Sequence, residues 1–196
     1  MDIKSKSNEE KKEILLKEAS AIFEDIGYEM MKIAELSKTT KISVGKIYAL
    51  FDSKESLYLA YIEHQIENFL DELDKRTSQN STPEEKISTF IELKFSYYHH
   101  KRKAIEQSAT NNPLFFNTLY SENTNLFDKL YRYLSSVFME LNSKLDEKKA
   151  ISLAFGINGF SDGYISQWLE IRDDLMAKSD EVSYLITSMI KVCNGK

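Results

Sequence analysis

Apolar residues return at spacings of three and four along nearly the whole chain, and only two prolines, Pro83 and Pro113, and six glycines interrupt them. That period matches the 3.6 residues of a helical turn, and the apolar-polar alternation of a half-buried strand is found nowhere. A chain so patterned has one way to bury its apolar stripes, which is helix against helix. The fold class is therefore all-α, with about nine helices. The first covers about 8–27 through Ile14, Leu15, Ala19, Ile22, Phe23 and Ile26, with Gly27 as its C-cap. Two short helices follow at about 31–38 and 43–50, joined by the polar Lys38-Thr39-Thr40-Lys41, and a long one at about 53–76 starts from Ser53 as N-cap. Thr82-Pro83-Glu84-Glu85 opens a helix to about 102, with proline and acid in the first turn. Beyond Asn111-Asn112-Pro113 come a helix through Phe127, Leu130, Leu134, Phe138 and Leu141, one at about 147–171, and a last at about 180–193.

Charge and composition remove several classes of function. No stretch is long and apolar enough for a membrane span, and the charged Met1 to Lys12 segment is not a signal peptide. The single cysteine, Cys193, cannot make an internal disulfide, and no Cys/His spacing suits structural zinc, so we expect a reduced, cytoplasmic setting without cofactor or metal. Adjacent helical residues point about 100° apart, so His99 and His100 cannot chelate one ion together. A nucleophile-base pair or a phosphate loop at recognisable spacing is also missing, which argues against an enzyme. The net charge of −5 disfavours nucleic acid on average, but Met31 to Lys54 carries five lysines against two acids. A local basic segment of this kind can hold DNA phosphates.

Two short helices with a tight turn make that same segment a helix-turn-helix candidate. Leu36, Ile42, Ile47 and Leu50 are apolar where such helices face their core, and Ser37 is small where they cross. The turn position that usually holds glycine carries Lys41, and a left-handed non-glycine residue costs about 1 to 2 kcal/mol. Phe23, Tyr28 and Phe51 read as core of the small domain. Ile14-Leu15, Ala19, Phe23, Gly27-Tyr28, Leu36, Ile42-Ser43, Gly45, Ile47-Tyr48, Phe51, Lys54-Glu55 and Leu57 resemble, without a gap, the N-terminal signature of the tetracycline-repressor (TetR) family. Met31, Lys32, Ser37 and Thr40-Lys41 depart from that signature.

The resemblance implies a DNA-binding domain at 1–52 and a ligand-binding and dimerisation domain at 53–196, with 53–76 as connecting helix. It places the helix at 43–50 in the major groove of a pseudo-palindromic operator on double-stranded DNA. Ser43, Val44 and Lys46 would lie nearest the bases, and Gly45 would avoid collision with DNA. Lys32, Tyr48 and Lys54 would contact phosphates, with Thr39 and Thr40 as lesser candidates.

The remainder of the chain is dense in aromatic residues accompanied by a few polar ones, which fits either a filled core or an apolar pocket. The resemblance implies a pocket between the long helix after residue 53 and the helices starting near 83, 113 and 147. Tyr98, Glu106, Phe116, Phe127, Tyr131, Asn158 and Asp162 are the expected ligand residues. An unpaired carboxylate there, Asp162 or Glu106, would favour a lipophilic cation, while an acyl or other neutral lipophile fits nearly as well. The last two long helices resemble the family's dimerisation pair, with Ile165, Trp168, Leu169, Leu185, Ile186 and Met189 at the expected homodimer interface. Gly156, Gly159, Ser161 and Gly163 would permit close backbone approach. The expected function is a regulator of transcription, commonly a repressor, released by a small effector. The competing reading is a ligand-independent DNA-binding protein whose aromatic residues are only core.

Overall fold

The computed structural model describes residues 6–78, 80–102 and 127–193, and among these every regular element is helical. They divide into two packed units, residues 6–65 and residues 66–102 with 127–193. Eight α-helices are present among the described residues: α1 (Asn8–Met30), α2 (Ile33–Thr40), α3 (Val44–Phe51), α4 (Lys54–Arg76), α5 (Pro83–His100), α6 (Asp128–Leu141), α7 (Glu147–Ile171) and α8 (Ser179–Val192), with a single 3₁₀ turn at Met176–Lys178. The break at Asn111-Asn112-Pro113 lies outside the described residues.

Helix starts follow local chemistry. Ser7 and Glu10 form a reciprocal capping box on α1, and Thr82 and Glu85 another on α5, each satisfying backbone donors that the first turn leaves without partners. Ser53 accepts from the Ser56 amide at 3.0 Å at the head of α4, and Asp146 from the Lys149 amide at 2.8 Å at the head of α7. Gly27 does not end the first helix outright. The chain breaks there at φ 78°, ψ 169°, a conformation that a side chain disfavours, and helical turns resume to Met30.

In the first unit Phe23 packs edge-on to Tyr58 at 5.0 Å and against Tyr61 at 5.2 Å, while Tyr28 meets Tyr58 at 4.9 Å. Leu15, Ala19, Leu36, Ile42, Ile47, Phe51 and Leu57 complete this core, so Phe23, Tyr28 and Phe51 sit where the sequence places them. In the second unit α6 lies along α7, and α5 packs on both α6 and α8. Phe90, Ile91, Phe95, Leu134, Phe138, Ala154, Ile157 and Ile190 are sealed inside it. Asn142 donates to the carbonyls of Ile190 and Cys193, both at 2.8 Å, and so holds the end of α8. The Lys191 ammonium reaches Glu84 at 2.8 Å and ties α8 to the start of α5.

Lys41 adopts φ 58°, ψ 22° at the end of α2, so the tight turn forms without glycine and the lysine bears the strain. Removing that strain while conceding glycine's larger entropy loss, Lys41→Gly is expected to raise the unfolding free energy by about 0.5–1 kcal/mol, measured by urea denaturation. A second expectation concerns acid. The hydrogen bond from Lys191 holds the Glu84 carboxyl below its ordinary value. Its contribution is complete above the unfolded-state pKa of about 4.3 and is lost as pH falls through the lower folded value. Glu84→Gln should therefore cost less than about 1 kcal/mol at pH 7, as for an exposed ion pair, and nothing near pH 2, compared by denaturant melts at the two pH values.

Candidate nucleic-acid interface and effector site

α3 is anchored from below and open above. Ile47 and Phe51 are buried in the core of the first unit, which leaves Ser43, Val44, Gly45, Tyr48 and Ala49 exposed and Lys46 half-exposed. Val44 and Tyr48 are large side chains left 39% and 44% open, an unusual outlay of apolar surface for so short a helix. The Ser43 hydroxyl caps α3 by accepting from the Lys46 amide at 3.3 Å. A Cβ built on Gly45 meets nothing within 4 Å, so no contact within the chain requires glycine there.

The other predicted DNA residues separate into two groups. Lys32 and Thr39 are exposed, at the start and in the last turn of α2, and the Thr39 hydroxyl donates to the Glu35 carbonyl at 3.2 Å. Thr40 is a correction to the expected set. It is buried, its hydroxyl donates to the Leu36 carbonyl at 2.7 Å and accepts from the Ile42 amide at 3.4 Å, so it stabilises the strained turn and has no face for phosphate.

Lys54, in the first turn of α4, is held rather than free. Its ammonium lies 4.3 Å from the centre of the Tyr28 ring and donates to the Glu29 carbonyl at 3.3 Å. Tyr28 in turn donates its hydroxyl to Glu55 at 2.9 Å. Partial burial lowers the Lys54 pKa, burial and the neighbouring Glu55 push the Tyr28 phenol well up, and the backbone amide of the helix start, aided by Tyr28, lowers Glu55. The kink at Gly27 is what turns Tyr28 and Glu29 toward α4. The function of Tyr28 as support for this lysine was missing from the sequence reading, which treated it as core alone.

In the second unit four of the predicted ligand residues come together. Phe127 lies 6.1 Å from Tyr131, Tyr131 lies beside Asn158 and Asp162, and the Asn158 amide donates to Asp162 at 3.3 Å. Burial, then the Asp162 charge, raises the Tyr131 phenol pKa. Phe155, 68% exposed, packs against Tyr131 with tilted rings and centres 5.7 Å apart. Tyr98 is half-buried on α5, in ring contact with Tyr97, and Glu106 and Phe116 lie outside the described residues.

Asp162 is not the unpaired carboxylate expected. It meets the ammonium of Lys94 at 2.7 Å, so the argument for a cationic effector loses its anchor. Lys94 is buried, and its other two protons serve Asn158 Oδ1 at 2.7 Å and Ser161 Oγ at 2.8 Å, with the Asn158 carbonyl at 3.2 Å as a longer, shared contact. Burial lowers its pKa against the pull of Asp162. The signal that would have found it is a lysine in register with Ile87, Ile91 and Tyr98 on an otherwise apolar stripe.

Of the expected interface residues, Ile165, Trp168 and Ile186 are buried within their own chain, Leu169 and Leu185 are half-buried, and Met189 is exposed. Trp168 is covered by His99, with ring centres 5.8 Å apart, and by the Arg102 guanidinium at 5.0 Å. The apolar surface that α7 and α8 leave open consists of Phe155, Ile171, Tyr184, Met189 and Val192. Beside Phe155 run Gly156, Gly159 and Gly163, which are exposed and have open space over each Cα. Among the described residues no group of three His, Cys, Asp or Glu side chains is placed to hold a metal ion, and no helix is long and apolar enough to cross a membrane.

Solved structures share this fold along the length of the chain. The fatty acid degradation regulator FadR of Bacillus halodurans superposes with a TM-score of 0.67 at 19% identity, over 90% of this chain and 94% of that one. The transcriptional regulator FadR of Bacillus subtilis, solved in complex with stearoyl-CoA, gives 0.67 at 20% identity, over 89% and 97%. A TetR transcriptional regulator of Legionella pneumophila gives 0.59 at 19%, over 92% and 97%. At these identities the likeness is one of fold. Residues 15–61, which span the core of the first unit with α2 and α3 and the start of α4, match the family model of bacterial regulatory proteins of the tetR family, so this chain carries the helix-turn-helix unit of that family.

Proposed function

We propose that this protein is a homodimeric, non-enzymatic repressor that binds a pseudo-palindromic operator through residues 1–52 and is released when residues 53–196, joined through the helix at 53–76, take up a small lipophilic effector. The observation that carries the DNA half is α3, which buries Ile47 and Phe51 and leaves Val44, Gly45, Lys46 and Tyr48 facing outward. A helix so supported fits the major groove. Gly45 weakens α3 by about 1 kcal/mol relative to alanine with no contact in the chain to justify it, which supports a close approach by DNA. Lys46 and Val44 read base edges, Ser43 lies beside them, and Lys32, Thr39, Tyr48 and Lys54 contact phosphate.

The effector half is supported by the cluster of Phe127, Tyr131, Phe155, Asn158 and Asp162, aromatic with a few convergent polar groups. The complex of the Bacillus subtilis regulator with stearoyl-CoA favours an acyl compound over a lipophilic cation as the class to test first. For the dimer, the exposed glycines of α7 and the open Tyr184 and Val192 of α8 support a four-helix contact across a two-fold axis. The inward Ile165, Trp168 and Ile186 would act in it as backing.

Titration of the chain against its own upstream DNA across salt concentrations tests the DNA half. Lys54→Ala should weaken binding to all sequences alike and reduce the salt slope by about 1, whereas Lys46→Ala should also relax preference at one base pair, by about 1–3 kcal/mol. Equal affinity of wild type for operator and random DNA would defeat the reading. For the dimer, Gly163→Leu should stabilise the isolated helix by up to about 1 kcal/mol yet shift the chain to monomer in sedimentation velocity. An unchanged sedimentation coefficient would remove α7 from the interface.

A further inference from the structure

A lysine ammonium removed from water is expensive, and its cost is met only by partners that accept every proton. Lys94 has such partners, all of them on α7: Asn158, Ser161 and Asp162. They are unequal. Ser161 is fully buried and Asn158 half-buried, whereas 44% of the Asp162 side chain is open to solvent. Among the described residues the counter-charge of this buried cation is thus a carboxylate already half in water. Asp162 also has a loose second tie, the 3.3 Å contact from Asn158. Turning it outward would cost little of its own hydration but would leave Lys94 without an anion. An incoming carboxylate removes that obstacle, because it restores the charge pair and the third acceptor while Asn158 and Ser161 keep theirs.

The surroundings select what carries the acid. Tyr131, whose hydroxyl lies beside Asn158, meets Phe155 in a tilted ring contact, and Phe127 extends the same aromatic wall. This wall is apolar and partly open, and it leads to the carboxylate position. We propose that Lys94 is the anchor of the effector site and that the effector is a lipophilic carboxylic acid whose head group takes the place of Asp162 on the Lys94 ammonium. The proposal rests on the reading of this cluster as the effector site, and it makes Asp162 an internal stand-in for the ligand head. Asp162 then sets the threshold of response, since every acid must compete with it.

The test compares decanoate, methyl decanoate and decylamine by calorimetry on the full chain, as wild type, Asp162→Asn and Lys94→Met. Decanoate should bind wild type about tenfold more tightly than its ester, the worth of one charge-assisted contact. Asp162→Asn should widen that ratio, because the internal competitor is gone, and Lys94→Met should reduce it to about one. The ratio within each variant is insensitive to changes in overall stability, and Asp162→Asn alone decides the matter should Lys94→Met fold poorly. Equal binding of acid and ester to wild type, an unchanged ratio in Asp162→Asn, or preference for decylamine would overturn the anchor while leaving an effector site. Absence of binding by all three compounds would overturn the effector site together with its anchor.

Discussion

The edge-on packing of Phe23 against Tyr58, with Tyr28 and Tyr61 closing the group, is the contact on which the DNA-binding unit depends. It joins α1 to the first turns of α4 and makes the floor on which α2 and α3 rest. α3 has eight residues, too few to be a stable helix alone. It persists because Ile47 and Phe51 are buried there, and its outer face is free because the inner one is fully committed. Aromatic contacts suit this task, since each ring adds directional contact to a large burial of apolar surface.

The same constraint prepares the basic rim of that unit. Gly27 breaks α1 in a conformation that lets Tyr28 turn inward while its hydroxyl stays near Glu55 and its ring lies beneath Lys54. One residue thereby serves core and surface. A lysine held by a ring and a carbonyl has less side-chain freedom left to lose in any further contact than a lysine moving freely in water.

In the second unit the governing constraint is electrostatic. Burial of Lys94 obliges α7 to present Asn158, Ser161 and Asp162 within one turn, and this fixes the register of α7 against α5 at that level. An apolar pair would hold the helices as well or better. The unequal exposure of the two charges is consistent with a cluster kept for exchange with an acid rather than for stability.

Local features were legible in the sequence because they depend on neighbours within a few residues. The helical period, the Thr82-Pro83-Glu84-Glu85 start, the Ser53 cap and the buried positions of the helix-turn-helix all follow from contacts one turn apart. The turn was misplaced by two residues because Thr39 and Thr40 bond back to Glu35 and Leu36 and prolong α2, leaving Lys41 to take the left-handed position. Thr40 looked like a surface threonine until its hydroxyl was seen to serve the backbone, and that His99 and Arg102 cover Trp168 within its own chain could not be read from the helical pattern. The partner of Asp162 lies 68 positions away, and pattern at short range carries no information about which helix will lie opposite. The sequence by itself determined that this chain is helical and where the second helix of its helix-turn-helix begins. Only the tertiary structure decided which charges are buried and which neutralise each other, because a charge's cost is set by everything packed around it.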